Sequence, residues 1–395
     1  MIRRFLVLQT LPRPLAFSPN NALLTLGHHL DRRRYEMSVA VPRDGLLSEA
    51  FEKEGIRVVR VPGLRTYHRH DAFWRLPLVG RRIAVQARRL GSQFLLSNHA
   101  ELAPFARAAA RQCGLPWICF LRQADRPARY YEKYRVAEAD AVGAVSEAAL
   151  RGYRDFLRSR GARENPSLAV PTGIELPTEE EGRDGAALPS AWPGDAPVAG
   201  IVGLREIKRP ELFLEILSRV AGGVPEARGL LVGGLEENRR KWLESVARDC
   251  NVAERIWFAG EQRAMSPWYR TMRVYTHTSR SEGFPKTALE AMAHGLPVVA
   301  FRVGGLPEAV AHEETGFLCE PDDREGFARR VAELLVSPGR AAEMGRAGRR
   351  RVRKLFSPAA MVAGMEALFE GVLDRRETGK DGAATRGRRP SSASR

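Results

Sequence analysis

The sequence has little cysteine and no long hydrophobic run. Four cysteines occur in 395 residues, and no metal-binding spacing or disulfide framework relates them. We therefore expect buried thiols in a reducing cytoplasm. The apolar runs fall far short of the roughly 20 residues that a membrane-spanning helix needs. No repeat of roughly 20–50 residues occurs, which excludes a solenoid. We expect a cytoplasmic protein without a secretory signal.

Positive charge is what the sequence has in excess. There are 63 Lys and Arg against 47 Asp and Glu, a net charge of +16. Arg65–Leu90 contains seven Arg and one Asp, and Arg375–Arg395 contains seven basic and two acidic residues. This balance indicates an anionic partner. No nucleic-acid-binding motif occurs, so we expect no nucleic-acid partner.

Short β-rich runs alternate with helical patterns in both halves of the chain. The predicted strands of the first half are Phe5–Leu8, Met37–Val41, Arg57–Val61, Phe94–Ser97, Trp117–Leu121 and Ala141–Val145, and those of the second half are Val198–Val202, Gly229–Val232, Arg255–Phe258, Val274–His277 and Pro297–Phe301. Alternation of this kind predicts parallel, doubly wound sheets. A stretch rich in Glu, Gly and Pro, Pro177–Pro197, separates the two halves. We predict an α/β fold of two Rossmann-like domains that face a cleft, with residues 1–175 in the first and 176–357 in the second. A helix over 358–376 would return to the first domain, and a disordered basic tail would follow over 377–395.

The most informative stretch contains two glutamates eight residues apart, Glu282 and Glu290. Pro285 suits the first turn of a helix and Gly295 suits its end, so Glu282 lies just before the helix and Glu290 within it. The free N–H groups at the start of such a helix bind anions. Two carboxylates beside an anion site fit a nucleotide sugar. The plainer interpretation is a helix-start acid and a solvated helix residue.

A second feature is the turn that follows the predicted strand Val198–Val202. Gly203 allows close approach of the backbone, and Arg205, Lys208 and Arg209 place cations beside it. A departing diphosphate needs such charges. The alternative is a group of surface charges at a helix start. A Gly-rich turn at Gly304–Glu308 can also form part of a phosphate or sugar pocket.

These motifs resemble those of the retaining glycosyltransferases of family 4, which have the two-domain GT-B fold. Glu282 and Glu290 match the family's E-x7-E motif, and Gly203–Lys208 approximately matches its Gly-rich basic turn. Ala139–Glu147 and Val170–Glu175 also look like family segments. The resemblance covers nearly the whole chain and is strongest over 197–358.

The resemblance implies that the second domain binds a UDP- or GDP-sugar and the first domain binds the acceptor. Glu282 would contact the sugar, Glu290 the ribose, and Lys208 with Arg205 the diphosphate. No metal or bound cofactor would be needed. The remaining donor-binding residues would be those of the basic turn and the helix start, namely Gly203, Gly283, Phe284, Pro285, Lys286, Thr287 and Ala288.

The chain departs from the family pattern mainly on the acceptor side. Leu204 stands where many members have Arg. The N-terminal loop, usually Gly-Gly, is Pro12–Asn21 here. Many members have a His after the strand that corresponds to Trp117–Leu121, and Arg122 stands there in this chain. His99, after the preceding strand, is a candidate replacement, or a surface or helix-capping histidine.

The first basic stretch interleaves Arg with Phe, Trp, Tyr and Leu over Arg65–Arg82, a mixture typical of membrane interfaces. One interpretation is a domain that docks on the inner face of an anionic membrane; the other is a solvated helix face.

We predict a retaining sugar transfer to a hydroxyl of a saccharide or glycolipid, in envelope polysaccharide, lipopolysaccharide or glycolipid synthesis. The alternatives are another GT-B activity, such as a phosphorylase or epimerase, and a noncatalytic binding protein.

Overall fold

The computed structural model describes residues 2–10, 18–67, 75–178, 186, 189, 192 and 194–378. All but the first two residues of the predicted disordered tail, the centre of the first basic stretch and most of the loop at Pro12–Asn21 therefore lie outside the described residues. Within them, the strands form two parallel sheets, and helices cover both faces of each sheet. The predicted α/β fold class is confirmed.

The first sheet has seven parallel strands in the order β3-β2-β1-β4-β5-β6-β7. Its strands are short and mostly buried, as expected where helices cover both faces. They are β1 (Arg3–Leu8), β2 (Tyr35–Val41), β3 (Arg57–Arg60), β4 (Phe94–Ser97), β5 (Trp117–Leu121), β6 (Ala141–Ala144) and β7 (Ser167–Ala169).

The second sheet has six parallel strands in the order β10-β9-β8-β11-β12-β13. They are β8 (Val198–Val202), β9 (Arg228–Val232), β10 (Ile256–Gly260), β11 (Val274–His277), β12 (Val298–Phe301) and β13 (Gly316–Cys319). In each sheet the strand order reverses beside the first strand, at β1/β4 and at β8/β11. Ligands of open α/β sheets bind beyond the carboxyl ends of the strands at such reversals.

Fourteen α-helices connect and cover these strands within the described ranges. In the first half they are α1 (Ser18–His29), α2 (Leu46–Lys53), α3 (Arg75–Arg89), α4 (Ala103–Cys113), α5 (Ala128–Lys133) and α6 (Glu147–Ser159). In the second half they are α7 (Pro210–Gly223), α8 (Glu237–Asp249), α9 (Ser266–Thr271), α10 (Lys286–Ala293), α11 (Leu306–Ala309), α12 (Arg324–Val336), α13 (Pro338–Leu355) and α14 (Pro358–Glu377).

Two strands, β7 and β13, are absent from the sequence-based prediction. β7 has only three residues, one of them Ser167, and lies at a sheet edge, so it lacks an apolar run. β13 begins at Gly316, a residue that normally weakens a strand. Here a Cβ on Gly316 would lie 2.0 Å from the carbonyl oxygen of Val298, so the close pairing of β12 with β13 requires glycine.

Helix α14 packs against the first sheet, although it follows the second one in the chain. Phe369 is fully buried, and its ring centroid lies 4.9 Å from those of both Phe5 and Phe94. Arg34 forms an ion pair with Glu366 at 2.7 Å. The chain therefore crosses twice between the two sheets.

One region of the described chain, Pro338–Glu377, has the length and composition of a membrane-spanning helix. It comprises two helices, α13 and α14, which are separated at Phe356 and Ser357. The apolar side chains of α14 are buried, among them Met365, Leu368 and Phe369. Packing in the core accounts for the apolar character of α14.

The contact of α14 with the first sheet predicts a stability effect. Phe369→Ala should lower the free energy of unfolding by about 3–5 kcal/mol, because it leaves a cavity between two aromatic rings. Urea unfolding followed by circular dichroism measures this loss. Leu355→Ala removes an exposed side chain near the end of the preceding helix and should change stability by less than about 1 kcal/mol. Equal losses in the two variants would contradict the described packing.

Candidate functional site

The loop that joins β11 to α10, residues Thr278–Pro285, lies where the two halves of the molecule meet. A Cβ on Gly283 would lie 2.3 Å from the carbonyl oxygen of Arg122, which follows β5 of the first sheet. Ser146 at the start of α6 donates a hydrogen bond to the Gly283 carbonyl at 2.8 Å. The loop therefore contacts both domains. Its close approach to the Arg122 carbonyl requires glycine at position 283.

The turn after β12 supports the same loop from the other side. The Gly305 N–H donates to the carbonyl oxygen of Glu282 at 3.0 Å. A Cβ on Gly304, which has φ of +51°, would lie 1.8 Å from that oxygen. The Glu308 carboxylate accepts hydrogen bonds from the N–H groups of Glu147 and Ala148, both at 2.8 Å. Gly304–Glu308, predicted as part of a ligand pocket, thus fixes the β11–α10 loop and joins it to α6.

Glu282 and Lys208 form a direct ion pair in this region. Lys208 Nζ lies 2.6 Å from Glu282 Oε2, and both side chains are largely buried. Lys208 belongs to the turn that joins β8 to α7, residues Gly203–Arg209, which Thr278 binds by donating to the carbonyl of Lys208 at 2.7 Å. Two residues that the sequence analysis assigned to one site are therefore brought into contact by neighbouring strands.

A buried histidine completes this cluster. His277, the last residue of β11, has its Nε2 atom 3.1 Å from Glu282 Oε2 and 3.3 Å from Lys208 Nζ. Burial and the charge of Lys208 lower the pKa of His277 to about 4. Burial would raise the pKa of Glu282, but the charge of Lys208, the largest of the causes that lower it, brings the pKa to about 2. At neutral pH the cluster holds a carboxylate, an ammonium ion and a neutral imidazole.

The other glycine and cations of the β8–α7 turn are either exposed to solvent or paired with residues outside the cluster. Gly203 has φ of +82°, and the space beside it is empty. Arg205 is exposed, and among the described residues it forms no ion pair. Arg209 binds Asp322 at 2.9 Å. Lys208 is therefore the cation of this turn that the structure places against Glu282.

Helix α10 begins beside this cluster, and Glu290 lies in its second turn. Tyr269 donates a hydrogen bond to Glu290 Oε2 at 3.0 Å, and Lys286 forms an ion pair with the same carboxylate. Tyr275 donates to the hydroxyl of Thr287 at 2.7 Å. The Glu290 side chain is thus held on one side of the helix by fixed partners.

The amino end of α10 offers fewer free groups than the sequence predicts. The N–H groups of Lys286 and Ala288 already donate to the carbonyls of Phe284 and Pro285, both at 3.0 Å. The side chains of Phe284 and Ala288 are buried, and Phe284 packs against the Phe356 ring. The amides of Lys286 and Ala288 therefore have carbonyl partners within the turn, and the assignment of Gly283–Ala288 to donor binding stays a prediction.

The acceptor-side candidates lie at the strand reversal of the first sheet. Arg122 turns its guanidinium toward Asn98, donating to the Asn98 carbonyl at 3.2 Å and to its side-chain oxygen. Burial lowers the pKa of Arg122 to about 9. Burial and the charge of Arg122 lower the pKa of the neighbouring His99 to about 3. His99 is therefore a neutral imidazole on the first domain's side of the cleft.

No sequence motif singles out His277, Tyr269 or Tyr275, and Ser146 and Glu308 lie in segments named above, Ala139–Glu147 and Gly304–Glu308, without an individual role. His277 carries the one signal that was available, because it is a polar residue at the carboxyl end of an apolar strand. The others depend on contacts between distant segments. In the described part of the chain no cluster of three or more His, Cys, Asp or Glu has the arrangement of a metal site.

Comparison with known proteins identifies both halves of the chain. Residues 19–173 match the family model described as "Glycosyl transferase 4-like domain", and residues 196–337 match that described as "Glycosyl transferases group 1". The chain is 27% identical over 308 residues to the lipopolysaccharide core biosynthesis mannosyltransferase LpcC of Rhizobium leguminosarum bv. viciae. That alignment covers 76% of this chain and 81% of LpcC.

Other relatives align with a smaller part of this chain. D-inositol 3-phosphate glycosyltransferase of Segniliparus rotundus is 31% identical over 52% of this chain, which spans about half, 46%, of that relative. Among solved structures, Anabaena HepE in complex with UDP and glucose superimposes with a TM-score of 0.76. It is 18% identical, and the match covers 93% of this chain and 100% of HepE. At that identity the likeness shows the fold.

The close contact of Gly304 with Glu282 predicts a large effect of one methyl group. Gly304→Ala should destabilise the protein by about 2–4 kcal/mol, through a left-handed backbone and overpacking against the Glu282 carbonyl. Gly295→Ala is the matched control, because Gly295 also has positive φ, +79°, but open space around its Cβ position. It should lose only about 1–2 kcal/mol. Urea unfolding compares the two, and equal losses would contradict the described contact.

Proposed function

This chain belongs to the glycosyltransferases of the group 1 and 4-like families, and we propose that it transfers a sugar from a UDP- or GDP-linked donor with retention and without a metal. The observation that carries the proposal is the buried Lys208–Glu282 ion pair, 2.6 Å long, beside the start of α10. The likeness to HepE, whose structure holds UDP and glucose, supports a nucleotide-sugar donor.

The geometry supports different roles for the two charged side chains, Lys208 and Glu282. Lys208 would bind the diphosphate and neutralise it as it leaves, in a site where water screens charge poorly. Glu282, ionised because its pKa is about 2, would contact the sugar and stabilise positive charge on its ring. The leaving phosphate would take the proton of the acceptor hydroxyl on the same face of the sugar. Retention follows from that geometry, and no opposed pair of carboxylates is needed.

The other donor contacts follow from what surrounds the pair. Glu290, held by Tyr269 and Lys286, would bind the ribose hydroxyls. Gly203 leaves room for the diphosphate beside Lys208, and exposed Arg205 would add charge at the opening. His99 and Arg122 would meet the acceptor from the first domain. The likeness to LpcC supports a saccharide or glycolipid acceptor in envelope or lipopolysaccharide synthesis.

Removing either charge of the ion pair should abolish transfer. Glu282→Gln and Lys208→Met should each lower kcat at least about 100-fold, because each removes charge stabilisation of the transition state. Release of nucleoside diphosphate from a panel of UDP- and GDP-sugars, in the presence of EDTA, measures turnover, and proton NMR of the product reports the anomer. Slow hydrolysis of the donor by water provides a readout that does not require the acceptor.

Two sets of variants control this experiment. Glu325→Gln and Lys241→Met remove surface ion pairs of the same chemistry and should leave kcat within about twofold. A single change in a buried pair leaves an uncompensated charge and destabilises the fold, so the double variant Lys208→Met/Glu282→Gln tests function without that charge. Turnover near the original level in the folded double variant would refute the site assignment.

The exposed face of α3 supports the proposal that the first domain docks on an anionic membrane surface. Leu78 is 42% exposed, and Arg81 and Arg89 are exposed on a helix whose other face packs in the core. Cations that alternate with an apolar side chain suit lipid headgroups. Helix α13 is a second basic element, with seven Arg and Lys and one Glu, and offers a direct comparison.

Reversal of two charges on α3 should weaken membrane binding specifically. Arg81→Glu/Arg89→Glu should lower the affinity for phosphatidylglycerol vesicles at least about tenfold, because each cation near an anionic surface contributes about 1 kcal/mol. Co-sedimentation at low salt measures it, with phosphatidylcholine vesicles as the uncharged reference. Arg346→Glu/Arg350→Glu makes the same charge change on α13. An equal loss in both variants, or no binding by the original protein, would contradict docking through α3.

A further inference from the structure

His277 has no role in the proposed reaction, yet it is 2% exposed and lies against both charges of the ion pair. Its Nε2 atom also lies 3.1 Å from the Ser279 hydroxyl, and its Nδ1 atom lies 3.3 Å from the Tyr275 hydroxyl. Every polar atom of this imidazole therefore has a partner. One neutral imidazole cannot form hydrogen bonds with all of these partners at the same time.

The two charged neighbours of Nε2 require opposite hydrogen-bonding roles from it. The Lys208 ammonium can only donate a hydrogen bond, and the Glu282 carboxylate can only accept one. A neutral imidazole carries one proton, so Nε2 serves either Lys208 or Glu282 at one time. The choice is linked to Nδ1, which is protonated when Nε2 is not.

The Tyr275 hydroxyl accommodates both forms of the ring. When it donates to Thr287, at 2.7 Å, it accepts from a protonated Nδ1, and Nε2 then accepts from Lys208. When it donates to Nδ1 instead, Nε2 carries the proton and donates to Glu282. Both tautomers of His277 are thus hydrogen-bonded at both nitrogens, and both use groups already in place.

Binding of a diphosphate changes which tautomer is favoured. Lys208 neutralises Glu282 while the site is empty, but a diphosphate on Lys208 competes for that ammonium. Glu282 would then remain ionised in a buried site with its main partner withdrawn, which is strongly unfavourable. A hydrogen bond from a buried donor to a charged acceptor is among the stronger replacements available.

We infer that His277 is a positioning residue that exchanges tautomers when the donor binds, accepting from Lys208 in the empty enzyme and donating to Glu282 in the donor complex. The inference rests on the proposed function, in which Lys208 binds the diphosphate. Before the donor binds, the ring is neutral, because burial and the Lys208 charge lower its pKa to about 4. The exchange keeps Glu282 ionised and oriented toward the sugar while Lys208 is engaged elsewhere.

Nitrogen-15 NMR of histidine-labelled protein reports the exchange directly. UDP and GDP are the probes, the signal is assigned by its loss in His277→Gln, and Lys208→Met is the reference for binding through Lys208. We expect Nε2 to change from unprotonated to protonated on saturation. Diphosphate binding that requires Lys208 without a change of tautomer would overturn the inference alone. Absence of binding that depends on Lys208 would overturn the proposed function and the inference together.

Kinetics of two variants separate positioning from a structural role. His277→Leu removes both hydrogen bonds and should lower kcat about 10- to 100-fold, with the affinity for UDP or GDP kept within about threefold. His277→Gln can present either an N–H or an oxygen near the Nε2 position, and should restore kcat to within about fivefold. His28→Leu, on the exposed face of α1, should behave as the original protein. Equal losses in kcat and nucleotide affinity, or no rescue by Gln, would contradict the positioning role.

Discussion

The buried ion pair between Lys208 and Glu282 is the interaction on which the rest of the site depends. The two residues are 74 positions apart in the chain, and the pair forms because β8 and β11 are neighbours at the strand reversal of the second sheet. Burying two opposite charges costs desolvation energy that their attraction only partly offsets. A fold that keeps such a pair beside an open glycine turn, Gly203, retains it for a reason other than stability. We propose that recognition of a charged donor substrate supplies that reason.

The loop that carries Glu282 also lies where the two domains meet. Glu282 and Gly283 lie between the Arg122 carbonyl and Ser146 on one side and the Gly304–Gly305 turn on the other. The backbone that carries the carboxylate is therefore set by groups from both domains. Movement of the first domain relative to the second would change the position of Glu282, so in the proposed function the acceptor and donor sites would be coupled.

Much of this architecture is predictable from the sequence, for physical reasons that apply to particular elements. β4, β5, β8 and β11 have the predicted bounds because each is a short apolar run between clear breaks. β7 and β13 escape prediction because their sequences lack such runs. Glu282, Lys208 and Glu290 are recognisable from motif spacing. The partners that orient them are not, because Tyr269 and Tyr275 act through contacts that only the folded chain creates. His277 is intermediate, visible as a polar residue in an apolar strand but without an evident partner.

The central claim is that the Lys208–Glu282 pair receives the diphosphate of the donor. A crystal structure of the complex with UDP or GDP tests it most directly. The account predicts a phosphate oxygen within hydrogen-bonding distance of Lys208 Nζ, and a Lys208–Glu282 separation greater than the present 2.6 Å. A diphosphate bound elsewhere, with the ion pair unchanged, would contradict it.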